Sequence, residues 1–166
     1  MTSEVHNGGV ATMNLPEPIA TACAPLFDVL PLDEAMPHLT GSHPQHTALV
    51  ENILSDPALA ARPDLTAALW LYADDLDRSH TLSQSLENPT GAYWHGIMHR
   101  REGDFSNSHY WMRRCSEHPL RRARPDLDAD TFIDEVAASR GQEIPALLAK
   151  QREEWQALFV WCAENP

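Results

Sequence analysis

Thirteen prolines divide this chain, and their positions limit how far any regular element can run. Proline lacks an amide hydrogen and clashes with the turn before it, so it belongs at helix starts and in connections. Pro16, Pro18, Pro25, Pro31 and Pro37 forbid a long helix before Gly41 and leave room for one short helix near 19–29. A second short helix is expected from Thr47 to Leu54, stopped at Asp56-Pro57. Beyond it the punctuation is more regular. Asp64 is placed to cap a helix running to Tyr72, and Leu76 to Leu86 reads as the next, ended by Asn88-Pro89. Thr90 is placed to open a helix to Arg101 that Gly103 closes, and Asp104 opens another to Cys115. His118-Pro119 and the arginines up to Pro125 read as a connector. Asp128 or Asp130 starts a helix to Ser139, and Leu147, Leu148, Trp155, Leu158, Phe159 and Cys162 recur at helical spacing over 144–163. No stretch sustains strand alternation. Residues 1–15 are polar and aperiodic and predict a flexible N-terminal tail. The expected fold is all-α: a single compact domain over 16–166, of about six or seven helices, with two central helical hairpins.

At 166 residues, 43% of them apolar, the chain can bury a core without disulfides or a structural metal. Uninterrupted apolar runs such as Ala67–Tyr72 fall far below the ~18 residues that cross a bilayer. A charged start, apolar stretch and cleavage site of the secretory kind are not seen, so a cytoplasmic location is expected. Cys23, Cys115 and Cys162 are widely spaced and read as free thiols. The net charge of −12 repels nucleic acid and anionic membranes. The charge is uneven, however. Arg100, Arg101, Arg113, Arg114, Arg121, Arg122 and Arg124 meet only three acids between 100 and 124, a local surplus of +4. Guanidinium groups in this density either pair with acidic faces elsewhere or form an anion site.

Two segments match at an offset of 29 residues. Asp75-Leu76-Asp77-Arg78-Ser79-His80 lies against Asp104-Phe105-Ser106-Asn107-Ser108-His109, and Ala67 lies against Gly96. In each, the Asp caps the second helix of a pair, the apolar residue anchors it, and the small residue lets the two helices approach. With Gly96, the Gly103–Ser108 turn and Pro119, the second unit resembles a tetratricopeptide-type helical hairpin over 61–119. That resemblance implies a stacked-hairpin fold that binds peptides. The segment Trp94-His95-x-x-x-His99-Arg100-Arg101-Glu102-Gly103-Asp104 also looks like that of an uncharacterised family of small helical proteins, a likeness that implies no activity.

Five of the nine histidines lie within 39 residues: His80, His95, His99, His109 and His118. On a helix, His95, His99 and Glu102 share one flank about 60° wide, between an apolar stripe and a stripe of small residues. His109 sits at the edge of the next helix's apolar face, and His80 approaches from the preceding hairpin. Imidazoles at i and i+4 with a carboxylate form a two-His, one-carboxylate metal set, here His95, His99 and Glu102, for a divalent Zn, Fe or Mn. The same groups suit acid–base work near neutral pH. The expected site is therefore His80, His95, His99, His109 and Glu102. Arg100, Arg113 or Arg114 would hold an anionic group, and Trp94 and Gln84 would stand beside the substrate. The remaining tryptophans, Trp70, Trp111, Trp155 and Trp161, read as core anchors.

Three functions fit this pattern. One is a small-molecule site for metal-assisted hydrolysis, elimination or isomerisation of a small anion. Another is an interaction module that holds an acidic peptide on its arginines. The third is a structural accessory protein whose polar residues satisfy one another.

Overall fold

Five prolines are the first residue of a helix, where the missing amide costs nothing: Pro57, Pro63, Pro89, Pro119 and Pro145. The computed structural model describes residues 2–7 and 10–166, with side chains from Met13 onward. Its elements are β1 (Thr2–Asn7), β2 (Val10–Pro16), α1 (Glu17–Val29), α2 (Thr47–Ile53), α3 (Pro57–Ala60), α4 (Pro63–Tyr72) and α5 (Leu76–Ser83), then α6 (Pro89–Glu102), α7 (Phe105–Arg114), α8 (Pro119–Ala123), α9 (Ala129–Ala138) and α10 (Pro145–Glu164). The fold is all-α apart from one two-stranded hairpin. Seven of the ten described helices have eight or more residues; α2, α3 and α8 are single turns or little more.

Residues 2–7 and 10–15 of the expected flexible tail form that hairpin, while 1, 8 and 9 lie outside the described residues. β1 pairs antiparallel with β2, with Val5 opposite Met13 and Ser3 opposite Leu15. Met13 and Leu15 are buried while Asn14 between them is exposed, a strand alternation too short to stand out in the sequence. Two caps also differ. Asn88, not Thr90, caps α6 by accepting from Gly91 N, and Asp64 lies inside the first turn of α4 and pairs with Arg62. The arginine-rich connector contains the short helix α8, opened by His118.

α4–α5 and α6–α7 are antiparallel hairpins built on the same plan, and α5 packs against α6. Asp75 caps α5 and Asp104 caps α7, each accepting a backbone amide three residues on. The Ser79 hydroxyl donates to the Ala67 carbonyl at 2.9 Å, and the Ser108 hydroxyl donates to the Gly96 carbonyl at 2.6 Å. These are the same bond, 29 residues apart. Small residues at 67 and 96 permit it; a Cβ on Gly96 would lie 2.8 Å from Met112 Cε.

The principal core lies beside the first hairpin, under α1 and α10. Phe27, Tyr72, Trp155 and Phe159 form an aromatic cluster with ring centroids 4.6–6.3 Å apart. Trp155 Nε1 donates to the Ala68 carbonyl, so its one polar atom is satisfied within the core.

Candidate metal centre

The seam between α5 and α6 carries three imidazoles. His80 comes from α5, and His95 and His99 come from successive turns of α6. Their ring centroids are 4.8 Å (80–95), 5.2 Å (80–99) and 4.7 Å (95–99) apart. One ring nitrogen from each lies within 4.8 Å of the others. Nitrogens bound at about 2.1 Å in a tetrahedral site stand ~3.4 Å apart, so the three rings must draw together by up to ~1.4 Å to share one ion.

Burial makes the arrangement unusual. His95 is 3% exposed and His99 7%, while His80 is half-buried. Among the described residues, neither ring nitrogen of His95 has a hydrogen-bond partner. Buried polar atoms are nearly always paired, so an unpaired ring beside two others marks a place for a ligand. Trp111 stacks on His95 at 4.0 Å and 21°, which fixes the ring plane. Burial first, then the nearby His99 and His80, pushes His95 down to about 3. Its imidazole is therefore neutral at neutral pH, the form that donates a lone pair to a metal.

His99 is oriented from behind. Its Nδ1 lies 2.6 Å from Glu102 Oε1. A carboxylate only accepts, so Nδ1 carries the proton and Nε2 keeps its lone pair. Glu102, a candidate ligand or acid/base, has Oε1 engaged with His99. His99 also belongs to a second close group, with Glu102 and Asp104. The third imidazole comes from His80 on the neighbouring hairpin.

His109 is not part of the cluster. Its Nδ1 lies 3.0 Å from Asp130 and its Nε2 2.8 Å from Asp134, both on α9. His109 is the repeat equivalent of His80. Each faces the element packed on its own hairpin, and for α7 that element is α9 instead of α6. Hydrogen bonding, first to Asp130, raises its pKa. His118 also lies elsewhere: its Nδ1 accepts from Leu120 N and its Nε2 meets Thr90 Oγ1.

The expected anion holders separate. Arg100 is fully buried, bonded to Glu154 at 2.7 Å and lying over Phe132, so it faces no substrate. Arg101 pairs with Asp74 in the core, Arg121 with Asp130, Arg122 with Glu117, and Arg124 with Asp126 and Glu153. Five of the seven arginines in the run are thus neutralised within the fold. Arg113 is exposed on α7. Arg114 lies 5.5 Å over Trp111 and 5.7 Å over Tyr110. With Gln84, Glu87, Ala92 and Trp111 it lines a cavity of about 510 Å³, which reaches the cluster only through Trp111, the ring stacked on His95. Trp94 is fully buried and contributes to the core, not to a substrate surface. Trp111 packs against the core as expected and also lines the cavity, with its ring on His95. Nothing in its local sequence marks it, because the stack depends on how α7 folds back on α6.

No family model, curated protein or solved structure matches this chain. Fold and site together define a helical protein with a three-histidine cluster between two stacked hairpins. Among the described residues no helix is long and apolar enough to cross a membrane.

Proposed function

We propose that His80, His95 and His99 bind one divalent transition metal and that the chain acts on a small anionic molecule there. The single observation that carries this reading is His95, a buried ring with both nitrogens unpartnered and two further imidazoles within 5 Å. Three nitrogen ligands suit Zn, Fe or Mn and leave a coordination position for substrate. Glu102 is the outer partner of His99, a carboxylate–histidine–metal relay that fixes the ring and raises its basicity. An ion so held supplies Lewis-acid polarisation, which serves hydrolysis, elimination or isomerisation. Arg114 lines the cavity and, among the described residues, forms no ion pair, which supports an anionic substrate.

The test is metal content and affinity. Zinc, iron or manganese at one equivalent per chain is expected. His95→Ala and His99→Ala are expected to lose it, and His109→Ala to keep it. Equal, sub-stoichiometric metal in all of these proteins removes the reading.

A further inference from the structure

A second cavity, of about 760 Å³, runs along α10, and its lining shares no residue with the histidine cluster or the first cavity. Its apolar lining includes Met13 from β2, Leu120 from α8, and Ala157, Val160 and Trp161 from α10. Leu120 and Met13 are buried, and the three α10 residues are half-buried. Arg152 also lines it, two turns before Val160 on α10 and about 80° round the helix from it.

Arg152 is placed but not neutralised. Its Nε donates to the Ala35 carbonyl at 2.8 Å, which pins the guanidinium at the wall. Among the described residues no carboxylate comes within 4 Å of it, although the chain has twice as many acids as bases. Of the three acids that line this cavity, Asp33 acts electrostatically on Arg152 without coming within ion-pair distance. Glu153 pairs with Arg124 at 2.6 Å, and Asp33 and Glu164 are exposed at the rim. A half-buried guanidinium with free nitrogens suits a carboxylate, which it grips through a planar fork.

We infer that this groove binds a medium-chain monocarboxylate, its carboxylate on Arg152 and its hydrocarbon over Ala157, Val160 and Trp161. Eight helical residues separate Arg152 from Val160, a span of ~12 Å, which an acyl chain of about ten to twelve carbons covers. Burying such a chain supplies about 0.8 kcal/mol for each methylene removed from water, so affinity should climb with length until the groove is filled. The site is separate from the histidine seam and stands whether or not a metal binds there.

The experiment is calorimetric titration of the intact protein with dodecanoate, dodecanol and dodecyltrimethylammonium, each below its aggregation limit. Dodecanoate is expected to bind one to one, at least tenfold more tightly than either chain without the negative charge. Arg152→Gln should bring dodecanoate down to the level of dodecanol. Ala157→Trp, which fills the groove, should remove binding while helix content stays constant. The unmodified protein alone decides the charge question if a variant fails to fold. Equal affinity for the anionic and cationic chains, no saturable binding of dodecanoate, or undiminished binding by folded Ala157→Trp overturns the proposal.

Discussion

Glu102 holds His99 through a 2.6 Å bond to Nδ1, one turn of α6 beyond His95. The carboxylate is partly exposed and the imidazole is buried, so the bond ties a ring inside the seam to a charge at the surface. Carboxylates of this kind orient a ligand without touching the ion. On the proposed reading of the seam as a metal site, Glu102→Ala should weaken metal binding by about tenfold to a hundredfold and leave one site per chain. Competition against a chelator of known affinity measures this. Complete loss of stoichiometric metal would place Glu102 among the ligands themselves.

The shared hairpin bond predicts matching mutational costs. Ser79→Ala and Ser108→Ala each remove a buried hydroxyl that donates to a carbonyl on the partner helix. Each should cost about 1 kcal/mol in urea unfolding, the usual net value of such a bond. A much larger loss at Ser108 alone would mean that the Gly96–Met112 contact depends on it.

Arg101 and Asp74 are both fully buried, and Asp74 also accepts from His43 N at 2.9 Å. Arg101→Met leaves that carboxylate without its cation in the core. A loss of about 3–5 kcal/mol is expected, read as a large fall in the thermal midpoint. Adding Asp74→Asn to Arg101→Met should recover part of it, because the penalty lies in the orphaned charge.

Two histidines should give stability opposite pH slopes. Burial, then the nearby Arg121 cation, lowers His118 from 6.5 to about 4. Between those values the unfolded chain binds a proton that the folded chain refuses. The His118 contribution is therefore full above 6.5 and is lost as pH falls toward 4. His109 is raised, chiefly by its bond to Asp130. Its contribution is full below 6.5 and is lost as pH rises through the raised folded value. Urea midpoints across this range should show a flatter acid limb in His118→Gln and a flatter limb above 6.5 in His109→Gln. Unchanged slopes in both would contradict the assignments.

Much of the helical layout was legible because caps and breakers act locally. Asp75, Asp104 and Asp128 each accept amides within three residues, and a proline at a helix start needs no partner elsewhere. The alignment of Ser79 with Ser108 and of Ala67 with Gly96 likewise survived into three dimensions as one repeated bond. The common flank of His95 and His99 followed from helical spacing alone.

What lies across that flank did not follow from spacing. Sequence by itself determined which residues share a helix face; packing decided which faces meet. His80 and His109 occupy equivalent places, yet one joins two imidazoles and the other is gripped by Asp130 and Asp134. Arg100 and Arg101 were legible as charges, but their burial with Glu154 and Asp74 depends on partners 54 and 27 residues away. Long-range pairs of that kind are chosen by the balance of desolvation against Coulomb attraction in the assembled core, and no window of local sequence contains both terms.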